Sequence, residues 1–267
     1  MKHASEIQGG HRVFFEDNGP LVGFKTITLP EMDRVKLLAR FDSKYSLSRT
    51  VLNKILDEVR SDYYVLEIEG VREHAYESVY YDTKEDRFFL DHHNGRASRM
   101  KVRKRVYIDS GLAFLEIKQK SNKGKTTKTR MRIEQFRTLL SPKELEFIYK
   151  NTGLTGEKLL PRFQNRFDRI TLVSKNFSER CTIDSNLELQ ALLSAKCKID
   201  DMVIVELKQE NPHSYSKLAE VLKEHRIYRS SFSKYCMGRA LNEKSIKRNL
   251  FKANILRLQK QYTLHTI

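Results

Sequence analysis

A chain of 267 residues with 50 Lys and Arg against 34 Asp and Glu has a formal net charge of +16, which points to anionic partners: nucleic acid, a membrane surface or phosphorylated substrates. Its hydrophobic content of 39% is too high for a disordered chain and enough for one large domain or two small ones. No stretch reaches the roughly 18 apolar residues of a membrane span. The first residues, Met1-Lys-His-Ala-Ser-Glu-Ile7, hold no apolar signal core, and Cys181, Cys197 and Cys236 are too scattered for a metal pair or disulfide framework, so a cytoplasmic setting is expected.

Residues 1–30 read as a tail or edge segment. Around 35–47 a strand pattern sets Leu38, Arg40, Asp42 and Lys44 against Ala39, Phe41, Ser43 and Tyr45. A helix over 49–60 follows, with Val51, Leu52, Ile55, Leu56 and Val59 at helical spacing. Residues 74–83 alternate again, placing Tyr76, Ser78, Tyr80 and Asp82 on one face. His92-His-Asn-Gly95 reads as a turn; its adjacent histidines point apart, so no metal site is expected there.

The segment Arg99-Met-Lys-Val-Arg-Lys-Arg-Val-Tyr107 puts Arg99, Lys101, Arg103 and Arg105 on one strand face. Like charges roughly 7 Å apart cost about 2–3 kcal/mol per pair at an effective dielectric near 20, so such a row needs either water or a polyanion. Asp109-Ser-Gly111 turns the chain into 113–120, with Phe114, Glu116, Lys118 and Lys120 on one face. After Ser121-Asn-Lys-Gly124, residues 125–133 alternate Thr126, Lys128, Arg130 and Arg132 against Thr127, Thr129, Met131 and Ile133. The three strands form a meander, ionic on one side and apolar on the other.

Ser141-Pro-Lys-Glu144 is a helix start with a capping box, and the helix runs to about Lys150. Strands are predicted over 162–173, with Arg166, Asp168 and Thr171 and with Arg169 on the alternate face, and over 180–189. The most apolar strand, 201–209, carries Glu206 and Lys208 on the face of Ile204. Asn211-Pro212 starts a helix with Tyr215, Leu218, Ala219 and Leu222 as its stripe, and Ser230-Ser-Phe-Ser-Lys-Tyr235 leads into a last helical region. Residues 244–267 read as a basic amphipathic helix: Lys244, Lys247, Arg248, Lys252, Arg257 and Lys260 interleave with Ile246, Leu250, Phe251, Ile255 and Leu256. It either docks on the domain or contacts a membrane surface or partner.

The ionic rows could face solvent on an open sheet or line a closed barrel, and periodicity leaves both open. An inward cationic lining would suit a triphosphate, with isolated carboxylates holding Mg²⁺ or Mn²⁺ through oxygen. Seven segments fall in one order: Arg40-Phe-Asp-Ser-Lys-Tyr45, Tyr80-Tyr-Asp-Thr83, Lys101-Val-Arg-Lys-Arg-Val-Tyr107, Leu115-Glu-Ile-Lys118, Thr182-Ile-Asp184, Val203-Ile-Val-Glu-Leu-Lys208 and Ser233-Lys-Tyr235. This ordered set resembles the catalytic domain of the vacuolar transporter chaperone (VTC) family, the polyphosphate polymerase domain within the triphosphate tunnel metalloenzyme, or CYTH, superfamily. The resemblance implies an α+β fold, an eight-stranded antiparallel tunnel with flanking helices over residues 31–243.

It also implies an enzyme that transfers the γ-phosphoryl group of ATP to inorganic polyphosphate and releases ADP. Carried over by position, Arg103, Arg105, Lys118 and Lys208 are the catalytic cations. Lys44, Lys101, Lys128, Arg130, Arg169 and Lys234 bind phosphate, and Glu206 holds a divalent metal, Mn²⁺ or Mg²⁺. Two positions depart from the family: Asp42 stands where glutamate is usual, and Phe167 where tyrosine is usual. The implied location is cytoplasmic, with membrane association through a partner protein bound by the basic C-terminal tail.

Two alternatives stay open: a tunnel hydrolase that lets water cleave a triphosphate, and a non-catalytic polyphosphate or nucleic-acid binder. No nucleic-acid motif is recognisable and few aromatics lie among the central bases, so no specific nucleic acid is expected. Gly124-Lys-Thr126 mimics the end of a P-loop, but Gln119 stands where the earlier glycine belongs and the context is a hairpin.

Overall fold

The computed structural model describes residues 19–33, 35, 41–123, 125–154, 159–192, 194–211 and 213–267; the predicted residues 36–40, including Arg40, lie outside them. A short strand β1 (Lys25–Ile27) and one helical turn α1 (Leu29–Met32) come first. Strand β2 (Phe41–Ser48) runs straight into α2 (Arg49–Val59), and Ser48 caps that helix by accepting from the Val51 N–H. Next come β3 (Tyr63–Leu66), β4 (Glu73–Asp82) and α3 (Arg87–His93). The meander is β5 (Arg99–Tyr107), β6 (Ala113–Lys120) and β7 (Thr126–Ile133), paired antiparallel as its turns predict. Helix α4 (Pro142–Thr152) begins with the predicted capping box: the Glu144 carboxylate accepts from the Ser141 N–H at 2.6 Å.

The chain continues through β8 (Leu160–Ser174), β9 (Glu179–Ala191), β10 (Cys197–Ile199) and β11 (Met202–Gln209). Then follow α5 (Lys217–Glu224), α6 (Lys234–Asn242), a 3₁₀ turn at Asn249–Phe251, α7 (Lys252–Gln261) and β12 (Leu264–Thr266). Among the described residues no helix is long and apolar enough to cross a membrane.

All twelve strands belong to one sheet, antiparallel except where β1 lies beside β3. Eight of them neighbour one another in the order β2-β11-β9-β8-β4-β5-β6-β7, with the other four attached at the sides. Among the described residues no ladder joins β7 to β2, so the sheet is open at that seam and has more strands than the expected eight.

One face of the sheet is apolar and helix-covered. Leu52, Ile55 and Leu56 of α2 and Leu218, Val221 and Leu222 of α5 pack on Tyr45, Ile183, Val203 and Val205. Ile148 of α4 covers Val102, Leu115 and Ile117. On the other face α6 covers one end, where Tyr235, Cys236, Met237 and Ala240 meet Tyr80, Phe163, Phe167 and Ile204. A Cβ at Gly238 would stand 2.3 Å from the Phe163 ring, so only glycine lets the helix seat this deeply.

Several local expectations are corrected. Residues through His93 form α3 rather than a turn, because the buried Asp82 carboxylate accepts from the free N–H groups of Phe88 and Phe89 at 2.8 and 2.9 Å. Helix α5 starts after Ser216, whose hydroxyl accepts from the Ala219 N–H, so Tyr215 lies outside it and is exposed. Strand β8 carries a register shift between Arg166 and Asp168; Arg169 opposes Asp184 and Thr171 opposes Thr182, which puts Thr171 on the face of Arg169. The C-terminal segment is helical only over the 3₁₀ turn and α7, which buries Ile255 and Leu258, and its last residues form β12 against β10.

Candidate functional site

Directly opposed residues in antiparallel strands share a face, so the ladders give the lining of each face without further assumption. Lys44, Glu206, Thr182 and Thr171 oppose one another across β2, β11, β9 and β8. Tyr80, Arg103, Glu116 and Arg130 do so across β4, β5, β6 and β7, and beside them run Lys101, Lys118 and Lys128. The polar positions of eight strands therefore form one continuous ionic lane. Arg105, Lys208, Glu116 and Asp184 are buried, although α6 covers this face only at one end; the sheet itself must curl around it.

Three carboxylates organise the lane, and each holds two bases. Glu206 sits between Lys44 at 2.8 Å and Lys208 at 2.9 Å. Asp184 pairs with both forks of Arg169 at 2.6 and 2.8 Å and with Lys234 from α6. Glu116 takes Arg103 at 2.6 Å and Lys128. Burial alone would raise all three carboxyl pKa values, but the adjacent cations outweigh it: Glu116 is brought down to about 2 by Arg103, Arg105 and Lys128, and Asp184 and Glu206 lie well below the usual range. The same burial lowers Lys208 and Lys234 to about 8 against the pull of Glu206 and Asp184.

Arg105 is different. It donates to Ser78 Oγ at 3.0 Å, and among the described residues no carboxylate pairs with it directly. Its guanidinium lies over the rings of Tyr76 and Phe167, 5.5 Å from each centroid, and those rings stack on each other with planes 6° apart. Arg169 and Lys234 also lie over Phe167. Burial and the neighbouring Arg103 bring the Arg105 pKa to about 10. An aromatic pair thus holds a guanidinium in place without neutralising it.

The remaining predicted bases lie on the same face. Lys101 donates to Ser233 Oγ at 3.0 Å, the residue that caps α6. The α6 N-terminus therefore opens toward the lane, where its dipole adds positive potential. Arg130 lies over the Phe114 ring, and Lys118 stands in the row of Lys101 and Lys128. Asp42 opposes Lys208 across β2 and β11.

The carboxylates do not gather into a cage: among the described residues no three His, Cys, Asp or Glu side chains could hold a metal together. Glu206 offers hard carboxylate oxygens, ionised and on the lane. That donor fits Mg²⁺ or Mn²⁺ bound mainly through phosphate oxygens, the usual manner of Mg²⁺ at one or two carboxylates. Sequence reasoning placed no role on Tyr76, Ser78 and Tyr80, which line the middle of the lane. Their alternation on β4 was the available signal. The double engagement of Glu116 and Asp184 had none, because it depends on register and on α6.

A search among curated proteins finds no match. Among solved structures the chain is similar to a candidate adenylyl cyclase from Hippeastrum with a dominant triphosphatase activity, at 15% identity and a TM-score of 0.47 over 74% of this chain and 94% of that one. A candidate adenylate cyclase from Vibrio parahaemolyticus is similar at 9% identity and a TM-score of 0.42, over 74% and 97%. A protein from Pyrococcus horikoshii is similar at 11% identity and a TM-score of 0.38, over 71% and 94%. The model of the VTC domain matches residues 39–242, most of the chain. This chain belongs to the VTC domain family.

Proposed function

We propose that the protein is a polyphosphate polymerase that moves the γ-phosphoryl group of ATP onto the end of an inorganic polyphosphate chain and releases ADP. The observation that carries this reading is the two-to-one excess of basic residues over carboxylates along the lane, with Arg105 paired with no acid among the described residues. A partly buried lane of that charge favours a polyanion, and the VTC family membership gives the polyanion its class. The strands β2-β11-β9-β8-β4-β5-β6-β7 are the wall of the proposed eight-stranded tunnel.

Phosphoryl transfer asks for positioning and charge stabilisation rather than a side-chain nucleophile. Arg103 and Arg105 clamp phosphate oxygens with fixed forks, and Lys44, Lys208, Arg169 and Lys234 hold the chain on the facing strands. Lys101, Lys118, Lys128 and Arg130 extend that hold toward the β7 edge. A terminal phosphate oxygen of the acceptor forms the new P–O bond while the bond to the β,γ-bridging oxygen of ATP breaks. Glu206 would hold a divalent cation, whose positive charge would help offset that of the phosphates.

The test is incubation with ATP and Mn²⁺ or Mg²⁺, with and without a polyphosphate primer, resolved by gel and ³¹P NMR. Chains that lengthen as ADP appears are expected, and Arg103→Ala or Glu206→Ala should lower turnover at least roughly a hundredfold with the fold retained. Free phosphate or released tripolyphosphate without chains would instead make this lane the site of a hydrolase.

A further inference from the structure

The lane contains a phenol hydroxyl whose hydrogen bonding is half complete. Tyr80 lies on β4 directly opposite Arg103, is buried, and its phenol oxygen accepts from Arg103 Nη1 at 2.9 Å. Its ring is clamped: it stacks on Tyr235 of α6 at 5.3 Å and tilts against Phe163 of β8 at 5.9 Å. Because Arg103 can only donate, the phenol proton is not used in that bond. Among the described residues no acceptor takes it.

Resting on the polyanion reading of the lane, we infer that Tyr80 is a further phosphate-binding residue, whose hydroxyl, oriented by Arg103, donates its proton to an oxygen of the bound triphosphate. Donor polarity then runs one way, from guanidinium to phenol to phosphate. The groups facing Tyr80 agree with this. From β5 come Lys101, Arg103 and Arg105; from β6 comes Glu116, through Arg103. From α6 comes Tyr235, whose own hydroxyl is engaged with Asp82, while β8 presents the apolar Phe163.

A consequence separates Tyr80 from the lysines of the lane. Burial would raise its pKa, but Arg103, Arg105 and Lys101 bring it down to about 8, so near pH 8.5 much of it is phenolate. Phosphate oxygens screen those cations and repel a phenolate, so binding must return the proton, drawn from the buffer, to Tyr80. Lysines take up protons too, but only a tyrosinate absorbs near 295 nm.

The experiment adds inorganic tripolyphosphate to the metal-free protein at pH 8.5, following absorbance near 295 nm, with binding measured separately by calorimetry. The expected result is a fall in absorbance of up to about one tyrosinate that saturates with binding. It should be absent in Tyr80→Phe, which at pH 7 should bind about tenfold or more weakly, as for a lost hydrogen bond to a charged group. Binding without the fall, or the same fall in Tyr80→Phe, overturns the inference and leaves the polyanion lane standing. No binding at all overturns both. The wild-type titration decides even where the variant fails to fold.

Discussion

Arg239 and Arg105 are both buried, and they sit in opposite electrostatic surroundings. Arg239 of α6 donates to Asp86 at 2.7 Å and, through both forks, to Glu243 at 2.6 and 2.7 Å, with the Asp82 carboxylate 3.9 Å away. Carboxylates outnumber bases there. The cluster ties α6 to α3 and to the end of β4, and its charge is satisfied within the chain. Arg105 has a serine hydroxyl and two aromatic faces, in a lane where bases outnumber carboxylates. A joint and a proposed binding surface use the same side chain; the local count of carboxylates tells them apart.

That contrast can be broken by stability measurements. Arg239→Met keeps much of the packing volume but strands the carboxylates around it, and denaturant unfolding should show a loss of about 3 kcal/mol. Arg105→Met removes a buried charge that no acid compensates, so stability should change by less than about 1 kcal/mol while tripolyphosphate binding is lost. Equal losses of stability in the two variants would erase the distinction.

The joint also sets how far α6 reaches into the lane, which Gly238 allows. Gly238→Ala should cost about 1–3 kcal/mol, since its methyl group would meet the Phe163 ring. It should also weaken tripolyphosphate binding in calorimetry, because the retreat of α6 would carry Lys234 away from Asp184. A variant as stable and as tight-binding as the wild type would show that helix depth does not place Lys234.

A smaller effect sharpens the electrostatic side of the comparison. Burial brings Lys234 to about 8 against the pull of Asp184, so raising the pH through 8 removes positive charge from the lane. Tripolyphosphate affinity should therefore fall between pH 7 and 9, with Lys234 contributing about tenfold or less beside Lys208 and Tyr80, the worth of one charge-assisted contact. In Lys234→Arg, whose guanidinium stays protonated, the fall should become shallower by that share, leaving what Lys208 and Tyr80 contribute. An unchanged wild-type affinity across that range would mean that Lys234 keeps its proton.

Much of this was legible in the residues. The β5, β6 and β7 elements follow from alternation and from turns at Asp109-Ser-Gly111 and Ser121-Asn-Lys-Gly124, and the structure gives them nearly as predicted. The helix start at Ser141 was visible because a cap is local chemistry, and the helix from Arg49 because its apolar spacing is. The short strands β1, β3, β10 and β12 were not visible, since three or four residues carry no period and such strands exist only by virtue of their partners. Helix α3 was hidden because Asp82, several residues upstream, supplies its N-terminal acceptor.

The candidate site divides along the same line. The sequence by itself determined which bases share a strand face, because a strand alternates with a period of two whatever it pairs with. Only the tertiary structure decided that Glu116 binds Lys128 as well as Arg103, that Asp184 binds both Arg169 and Lys234, and that Arg105 rests on Tyr76 and Phe167. Those partners meet through sheet register, a bulge in β8 and the seating of α6. Each is a property of distant segments packed together, and no local pattern encodes it.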